Sequence, residues 1–476
     1  MKKFISIILA LGILLCSCTV CFAATVDKKL WTDTYLVMDL QTGELLASKN
    51  ENEKRYPAST TKMVTSLVVM DAVGSGQLKL DQLLEADEEV SSTEGSKFGL
   101  KTGETITLED ALNIMMVLSA NDIAVLLAKA TSGTVDAFVL QMNQKVQELG
   151  CQGTHFVTPH GLHDEDHYTT ASDLAIIARE LMKNEYLASV VRQPEYNYAA
   201  TNKRAAGTVQ TSNLLMNGNL SIYVGNERKT TKYENAEVIG IKTGTTPEAG
   251  GCLVAAAQKD GTVILSIVMK SGTGTALERY ADSQQILDWA FEHYRTVNYM
   301  EKNVPVGIVK VKHGEFNKVN AVVSEAIYVT LPTEASESVL TQAVELDKSV
   351  KAPFEAGTKL GKVHILEAGE EIAAYDIVAE KGIAKGGILS VFGIEDSTAA
   401  KIFKVLKTVL LVLLVLFAAL MALRAYNKRK ARLKKAAKAR RKAELERQRR
   451  EAWDQEYEKR YDYDAYPEFS DPDSKQ

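Results

Sequence analysis

Tyr56-Pro57-Ala58-Ser59-Thr60-Thr61-Lys62 runs directly into Met63-Val64-Thr65-Ser66-Leu67-Val68-Val69-Met70. Pro57 and Ala58 close an extended approach. The apolar run behind them predicts a buried helix with Ser59 on its first turn. Residues three apart share a helical face, so Lys62 stands beside Ser59. A serine hydroxyl is a weak nucleophile at neutral pH and needs an adjacent base. A lysine serves when burial or a second cation keeps it uncharged. The helix N-terminus adds free N–H groups able to stabilise an oxyanion. Taken alone, Ser-x-x-Lys also describes a capping serine beside a solvated lysine, so the rest of the chain must decide.

Upstream, Tyr35 to Leu40 and Glu44 to Ser48 read as a hairpin turning at Gln41-Thr42-Gly43. Downstream, helical periods run from Leu108 to Leu118, Asp122 to Ala130, Val135 to Leu149 and Thr170 to Met182. Residues 82–106 are polar and punctuated by glycine. Strands follow at Val238 to Ile241, Cys252 to Ala257 and Val263 to Met269, with Lys242-Thr243-Gly244 ending the first. A helix from Ala276 to Tyr294 closes the unit. Strands at both ends with helices between them predict an α/β (α+β) domain: one antiparallel sheet flanked by helices. Short β-rich runs at 304–311, 319–330, 339–346, 358–366 and 371–379 predict a small all-β domain without catalytic residues. The expected layout is a signal peptide over 1–23, a first domain over 24–295, the β-rich domain over 296–392, a linker over 393–403, a membrane span over 404–423 and a tail over 424–476.

The ends carry the targeting information. Met1-Lys2-Lys3, an apolar run from Phe4 and the small residues at Ala23-Ala24 form an export signal. Val405 to Leu423 is apolar apart from Lys407 and Thr408, and is apolar all round, as a span is and a surface-lying helix is not. Residues 424–450 hold fourteen Lys/Arg against two Glu, and 451–476 hold nine Asp/Glu against three Lys/Arg. The basic run places the C-terminus in the cytoplasm, part of it on anionic headgroups, with the first domains outside a single-pass membrane anchor. The Tyr/Asp-rich end, with Tyr457, Tyr461, Tyr463 and Tyr466, is expected to be disordered, and no partner for it is named by the sequence. The formal charge of −5 therefore conceals an acidic folded portion of about −13, which excludes nucleic acid as a partner. Once the signal is removed, Cys151 and Cys252 remain, either paired or as two buried thiols. The seven histidines show no metal-ligand spacing, so no metal or other cofactor is expected.

Two further motifs settle the reading of Ser59. Ser119-Ala120-Asn121 sits between two helices, and Lys242-Thr243-Gly244 follows a strand. Each is weak alone, but Ser-x-x-Lys, Ser-x-Asn and Lys-Thr-Gly in that order are a strong signal. With them the chain resembles the serine penicillin-binding proteins, most closely the low-molecular-weight D-alanyl-D-alanine carboxypeptidases of peptidase family S11. The resemblance covers about residues 30–390. It includes Asp39-x-x-Thr42-Gly43-Glu44, Phe156-x-x-x-His160-Gly161-Leu162, His167-Tyr168-Thr169-Thr170-Ala171-x-Asp173, Gly240-x-Lys242-Thr243-Gly244-Thr245-Thr246 and Arg279.

The resemblance implies a β-lactamase/transpeptidase-like fold and a role for each matching residue. Ser59 is the acylated nucleophile and Lys62 its base. Ser119 relays a proton to the leaving group, and Asn121 holds the substrate amide. Lys242 supplies positive charge for a substrate carboxylate and depresses the pKa of Lys62. The backbone N–H groups of Ser59 and Thr245 form the oxyanion hole. Thr243, Gly244, Thr245 and Arg279 line the substrate site, although Arg279 also fits a helix-surface salt bridge. The implied reaction removes the terminal D-alanine of peptidoglycan pentapeptides during cell-wall maturation and maintenance of cell shape. β-Lactams would act as covalent inhibitors. Two alternatives share the motifs: a class A-like β-lactamase, for which Glu195 in Pro194-Glu195-Tyr196-Asn197 is the nearest candidate glutamate, and a catalytically silent penicillin-binding wall sensor. Thr245 stands where these carboxypeptidases often carry His or Tyr, which bears on substrate preference.

Overall fold

The computed structural model describes residues 24–272 and 277–460. The expected signal peptide, Ala276 and the tail beyond residue 460 lie outside the described residues. The chain divides into two compact units. The first comprises residues up to Val306 with 322–345 and 361–377. The second comprises 307–321, 346–360 and the residues from Val378 onward.

The first unit is built on a five-stranded antiparallel sheet. Its order is Leu45–Lys49, Thr34–Asp39, Thr262–Ser271, Gly250–Lys259 and Glu237–Thr246. Alternation along each strand builds two cores, one per face. Leu36, Val254, Ala256, Leu265, Ile267 and Met269 point to a core shared with helices Lys62–Gly74, Leu108–Leu118, Asn121–Ser132 and Ala171–Lys183. Tyr35, Val37, Leu253, Ala255, Ile264 and Val268 point the other way, onto helix Glu278–His293. The N-terminal hairpin thus pairs with the last strand of the sheet, Thr34 opposite Met269 and Asp39 opposite Ile264.

Helices Leu108–Leu118 and Ala171–Lys183 begin at threonine caps. Thr107 Oγ1 accepts from the Asp110 N–H at 3.1 Å, and Thr170 Oγ1 accepts from the Asp173 N–H at 3.0 Å. Asp39 does a related job for the hairpin. Its Oδ1 accepts from the Gln41 and Thr42 N–H groups, and its Oδ2 accepts from Thr296 Oγ1 at 2.6 Å and Thr330 Oγ1 at 2.8 Å. The Asp39-x-x-Thr42-Gly43 motif therefore fastens strand Thr34–Asp39 to the pair Tyr294–Met300 and Ile327–Pro332.

Several segments differ from expectation. The long helix ends at His293, because Tyr294 starts a strand. The run 319–330 is two strands, Lys318–Val323 and Ile327–Pro332, which lie in different sheets. Lys242-Thr243-Gly244 lies inside a ten-residue strand that continues to Thr246. The polar stretch 82–106 folds into strands Leu83–Glu85 and Thr105–Thr107 with helix Glu88–Ser92 between them.

Beyond residue 304 the chain is β-rich. Its strands there are Pro305–Lys312, Lys318–Val323, Ile327–Pro332, Leu340–Leu346, Ser349–Lys351, Lys359–Glu367 and Glu370–Ala379. In the second unit a 3-10 turn, Ile388–Phe392, precedes one helix from Asp396 to Arg460. Most of the expected linker 393–403 is thus helical, since no proline or glycine follows Gly393 before Leu423. This helix is long and apolar enough to cross a membrane.

Candidate active site

Ser59 lies on a 3-10 turn, Ala58–Thr61, and the α-helix starts one residue later, at Lys62. The first α-helical turn expected there is replaced for a local reason. Thr60 Oγ1 donates to Pro57 O and Thr61 Oγ1 to Ala58 O, both at 2.8 Å, which closes the tighter i to i+3 geometry. Ala58 itself takes a left-handed φ of 48°, a strain that clusters at functional sites. Two further contacts hold the turn, one through Thr61 and one against the Ala58 carbonyl. His167 Nδ1 accepts from the Val157 N–H at 3.0 Å, so the ring carries its proton on Nε2, 2.8 Å from Thr61 Oγ1. A Cβ on Gly161 would come within 1.9 Å of Ala58 O, and Gly161 has φ of 87°.

Lys62 is fully buried, and its Nζ has three partners: Ser59 Oγ at 3.0 Å, Asn121 Oδ1 at 2.7 Å and His160 O at 2.8 Å. Asn121 Nδ2 donates to Glu94 O at 2.8 Å, which turns Oδ1 toward the lysine. The Asn121 and His160 oxygens only accept. A neutral amine directs its two N–H bonds at them and its lone pair at the Ser59 hydroxyl. Burial and then the cation of Lys242 push the Lys62 pKa well below that of an ordinary lysine, against the opposing pull of Asp122. The arrangement can take a proton from Ser59.

Lys242 is also buried. Burial, and next Arg279, push its pKa down to about 7. Gly244, two residues on, faces the Ser59 turn. A Cβ there would sit 2.8 Å from Pro57 O and 3.0 Å from Ser59 N. Only glycine lets the strand approach the Ser59 amide so closely. Thr243 points to the opposite face, its Oγ1 2.8 Å from Ser212 Oγ. Thr245 is exposed. Arg279 Nη1 donates to Thr245 Oγ1 and, at 3.0 Å, to Gly244 O, and Nη2 donates to the Tyr280 hydroxyl at 3.2 Å. Among the described residues Arg279 forms no ion pair, so the helix-surface salt bridge is absent. Ser119 takes a left-handed φ of 71° where helix Leu108–Leu118 ends, directly before the helix that starts at Asn121.

Sequence reasoning missed four contributors. The Asp122 carboxylate accepts from the N–H groups of Phe98, Gly99 and Leu100 at 2.7–3.0 Å, fixing the loop against the site. His160, Gly161 and His167 act through the Ser59 turn and the Lys62 amine. His160 and His167 are quoted in the motifs, but their chemistry depends on which atom each turns inward. Burial first, then Lys62, lowers His160 to about 3. Burial lowers His167 to about 4 against the pull of Asp164. Both rings are neutral near pH 7. Glu195 lies on an exposed hairpin, where it accepts from Gln210 Nε2 at 2.8 Å. Cys151 and Cys252 are free and buried.

A family profile for D-alanyl-D-alanine carboxypeptidases matches residues 22–273. The chain belongs to this carboxypeptidase family. A second profile, the C-terminal domain of penicillin-binding protein 5, matches residues 294–385. D-alanyl-D-alanine carboxypeptidase DacF of Bacillus subtilis is 31% identical over 396 residues, covering 82% of this chain and 97% of the relative. DacA of Escherichia coli is 28% identical over 363 residues, covering 74% and 84%. Penicillin-binding protein 5 from Haemophilus influenzae superposes with a TM-score of 0.60 at 27% identity, covering 76% of this chain and all of that one. The first carboxypeptidase profile spans the Ser59 turn, the Ser119–Asn121 corner and the strand bearing Lys242, but ends before Arg279.

Proposed function

We propose that this chain is a serine-type D-Ala-D-Ala carboxypeptidase that trims the terminal D-alanine from peptidoglycan pentapeptides. The observation that carries the reading is the set of three partners around Lys62 Nζ, which leaves the amine lone pair on Ser59. Lys62 takes the Ser59 proton as Oγ attacks the penultimate carbonyl. The N–H groups of Ser59 and Thr245 receive the oxyanion. Ser119 passes a proton to the leaving nitrogen and D-alanine departs. Water then attacks the acyl-enzyme and releases the shortened peptide and free Ser59. Asn121 holds the peptide amide. Lys242, Thr243, Thr245 and Arg279 hold the terminal carboxylate, with Arg279 acting from above Gly244. Penicillins acylate Ser59 in the same way.

The apolar helix anchors the enzyme in the cell membrane, with the folded residues before Asp396 outside and the basic helical segment inside. The domain reading is a peptidase domain over 24–295, a β-rich domain over 296–392 and a span over 404–423. D-Alanine release from a synthetic pentapeptide by the wild type and by Ser59→Ala tests the assignment. We expect release by the wild type alone; equal rates in both would sink it.

A further inference from the structure

The second unit holds a cavity of about 580 Å3 whose rim carries Lys310, Lys312, Lys318 and Lys348, with Asn317 and Ser390 between them. No carboxylate lines it. Among the described residues none of these four lysines forms an ion pair. Lys310 and Lys312 project from the same face of strand Pro305–Lys312. Lys348 stands just before the short strand Ser349–Lys351 that pairs with it in parallel. Four unpaired cations around one hollow repel one another unless an anion sits among them.

The cavity wall includes Val391, part of the 3-10 turn Ile388–Phe392. This turn presents Ile388, Val391 and Phe392 to solvent at 87, 61 and 77% exposure. Three large apolar side chains this bare on one turn are costly in water. The start of the apolar helix is fixed to the same place. Asp396 N–H donates to Glu315 O at 3.1 Å, Asp396 Oδ1 accepts from the Gly387 N–H at 2.9 Å, and Ala399 is buried. Ile402 and Phe403 follow within a few residues, about 9 Å along the helix from Asp396. The turn and the lysine rim therefore stand where the helix enters the bilayer.

We propose that this cavity binds the phosphate headgroup of an anionic phospholipid in the outer leaflet, while Ile388, Val391 and Phe392 enter the acyl boundary beside it. The occupant follows from the chemistry. The cations match a phosphate, the exposed turn matches hydrocarbon, and only a lipid carries both next to a spanning helix. The inference rests on reading the apolar helix as the membrane anchor.

The test uses the mature chain, without residues 1–23, carrying Phe392→Cys and labelled with an environment-sensitive fluorophore; its two other cysteines, Cys151 and Cys252, are buried. The chain is reconstituted into nanodiscs of pure phosphatidylcholine or of phosphatidylcholine with phosphatidylglycerol. We expect a blue-shifted emission, quenched by bromolipid, in the phosphatidylglycerol discs. Replacing the four lysines by serine should abolish this lipid dependence. Replacing them by arginine should retain it, which separates charge from misfolding. Each lysine near an anionic surface is worth about fivefold in affinity, so headgroup titration should weaken by more than 100-fold in the serine variant. Identical emission in both lipids would overturn the lipid site, whereas competition by inorganic phosphate at matched ionic strength would support headgroup recognition through its phosphate. A chain that never enters discs would instead overturn the anchor, and the lipid site with it.

Discussion

Gly161 lies directly against the carbonyl of Ala58, so close that a Cβ would fall 1.9 Å from that oxygen. The contact ties the loop carrying His160 to the turn carrying Ser59. His160 O accepts from Lys62 Nζ, so one loop both presses the Ser59 turn and positions Lys62.

Gly161→Ala should therefore disturb chemistry as well as folding. The clash and the φ of 87° together predict a loss of about 2–5 kcal/mol in stability. In the fraction that folds, acylation by a fluorescent penicillin should slow at least 100-fold. A variant with wild-type melting temperature and labelling rate would contradict the packing described here.

Lys242→Met removes the cation that helps hold Lys62 uncharged. Loss of a neighbouring positive charge raises a lysine pKa, so the ascending limb of acylation against pH should move to higher pH. In the wild type a descending limb near pH 7 is expected as Lys242 itself loses its proton. An ascending limb at unchanged pH in Lys242→Met would show that burial alone depresses Lys62.

His167 is neutral in the fold, lowered to about 4 from an ordinary value near 6.5. The unfolded chain takes up a proton near 6.5 that the native ring refuses until about 4. Stability is therefore full above pH 6.5 and is lost as pH falls through that window, by up to about 1.4 kcal/mol per pH unit for this group. His167→Gln keeps a donor for Thr61 without titrating. Its melting temperature should fall less steeply than the wild type's between pH 6.5 and 4. Parallel curves would rule the ring out as a source of acid lability.

Asp39 gives the opposite separation of effects. Asp39→Ala leaves the Thr296 hydroxyl without its acceptor, leaves the Thr330 hydroxyl with Thr42 Oγ1 at 2.6 Å and frees two turn amides, at a cost of about 2–4 kcal/mol. Asp39 lies about 20 Å along the sheet from the strand ends near Ser59. Chemical denaturation should show the loss, while the penicillin acylation rate at 25 °C stays within twofold. A large fall in acylation would mean that the sheet transmits strain.

The sequence made the helices legible where the apolar period was long. Leu108–Leu118 and Ala171–Lys183 lie within a residue of the expected spans because threonine caps and a buried stripe agree. The segment 185–233 was not legible. Its strands are four residues long, and their outward faces are polar, so no period accumulates. At the site, the serine, lysine and asparagine were readable from spacing. Ala58 was not, because its left-handed turn is held by Thr61 together with His167 and Gly161, which come from outside its own stretch. Asp122 was hidden for a similar reason: its three amide partners come from residues 98–100.

Strand Glu237–Thr246 lies at the border of its sheet, yet its residues from Val238 to Gly244 are buried, and at the end nearer Ser59 only Thr245 and Thr246 reach solvent. An open border invites any extended chain to pair with it, the first step toward aggregation. Here the free length admits about two residues. That suits a peptide end and offers too little ladder for a neighbouring protein to latch on. The same shielding keeps the border from pairing with a neighbouring chain and seeding fibres.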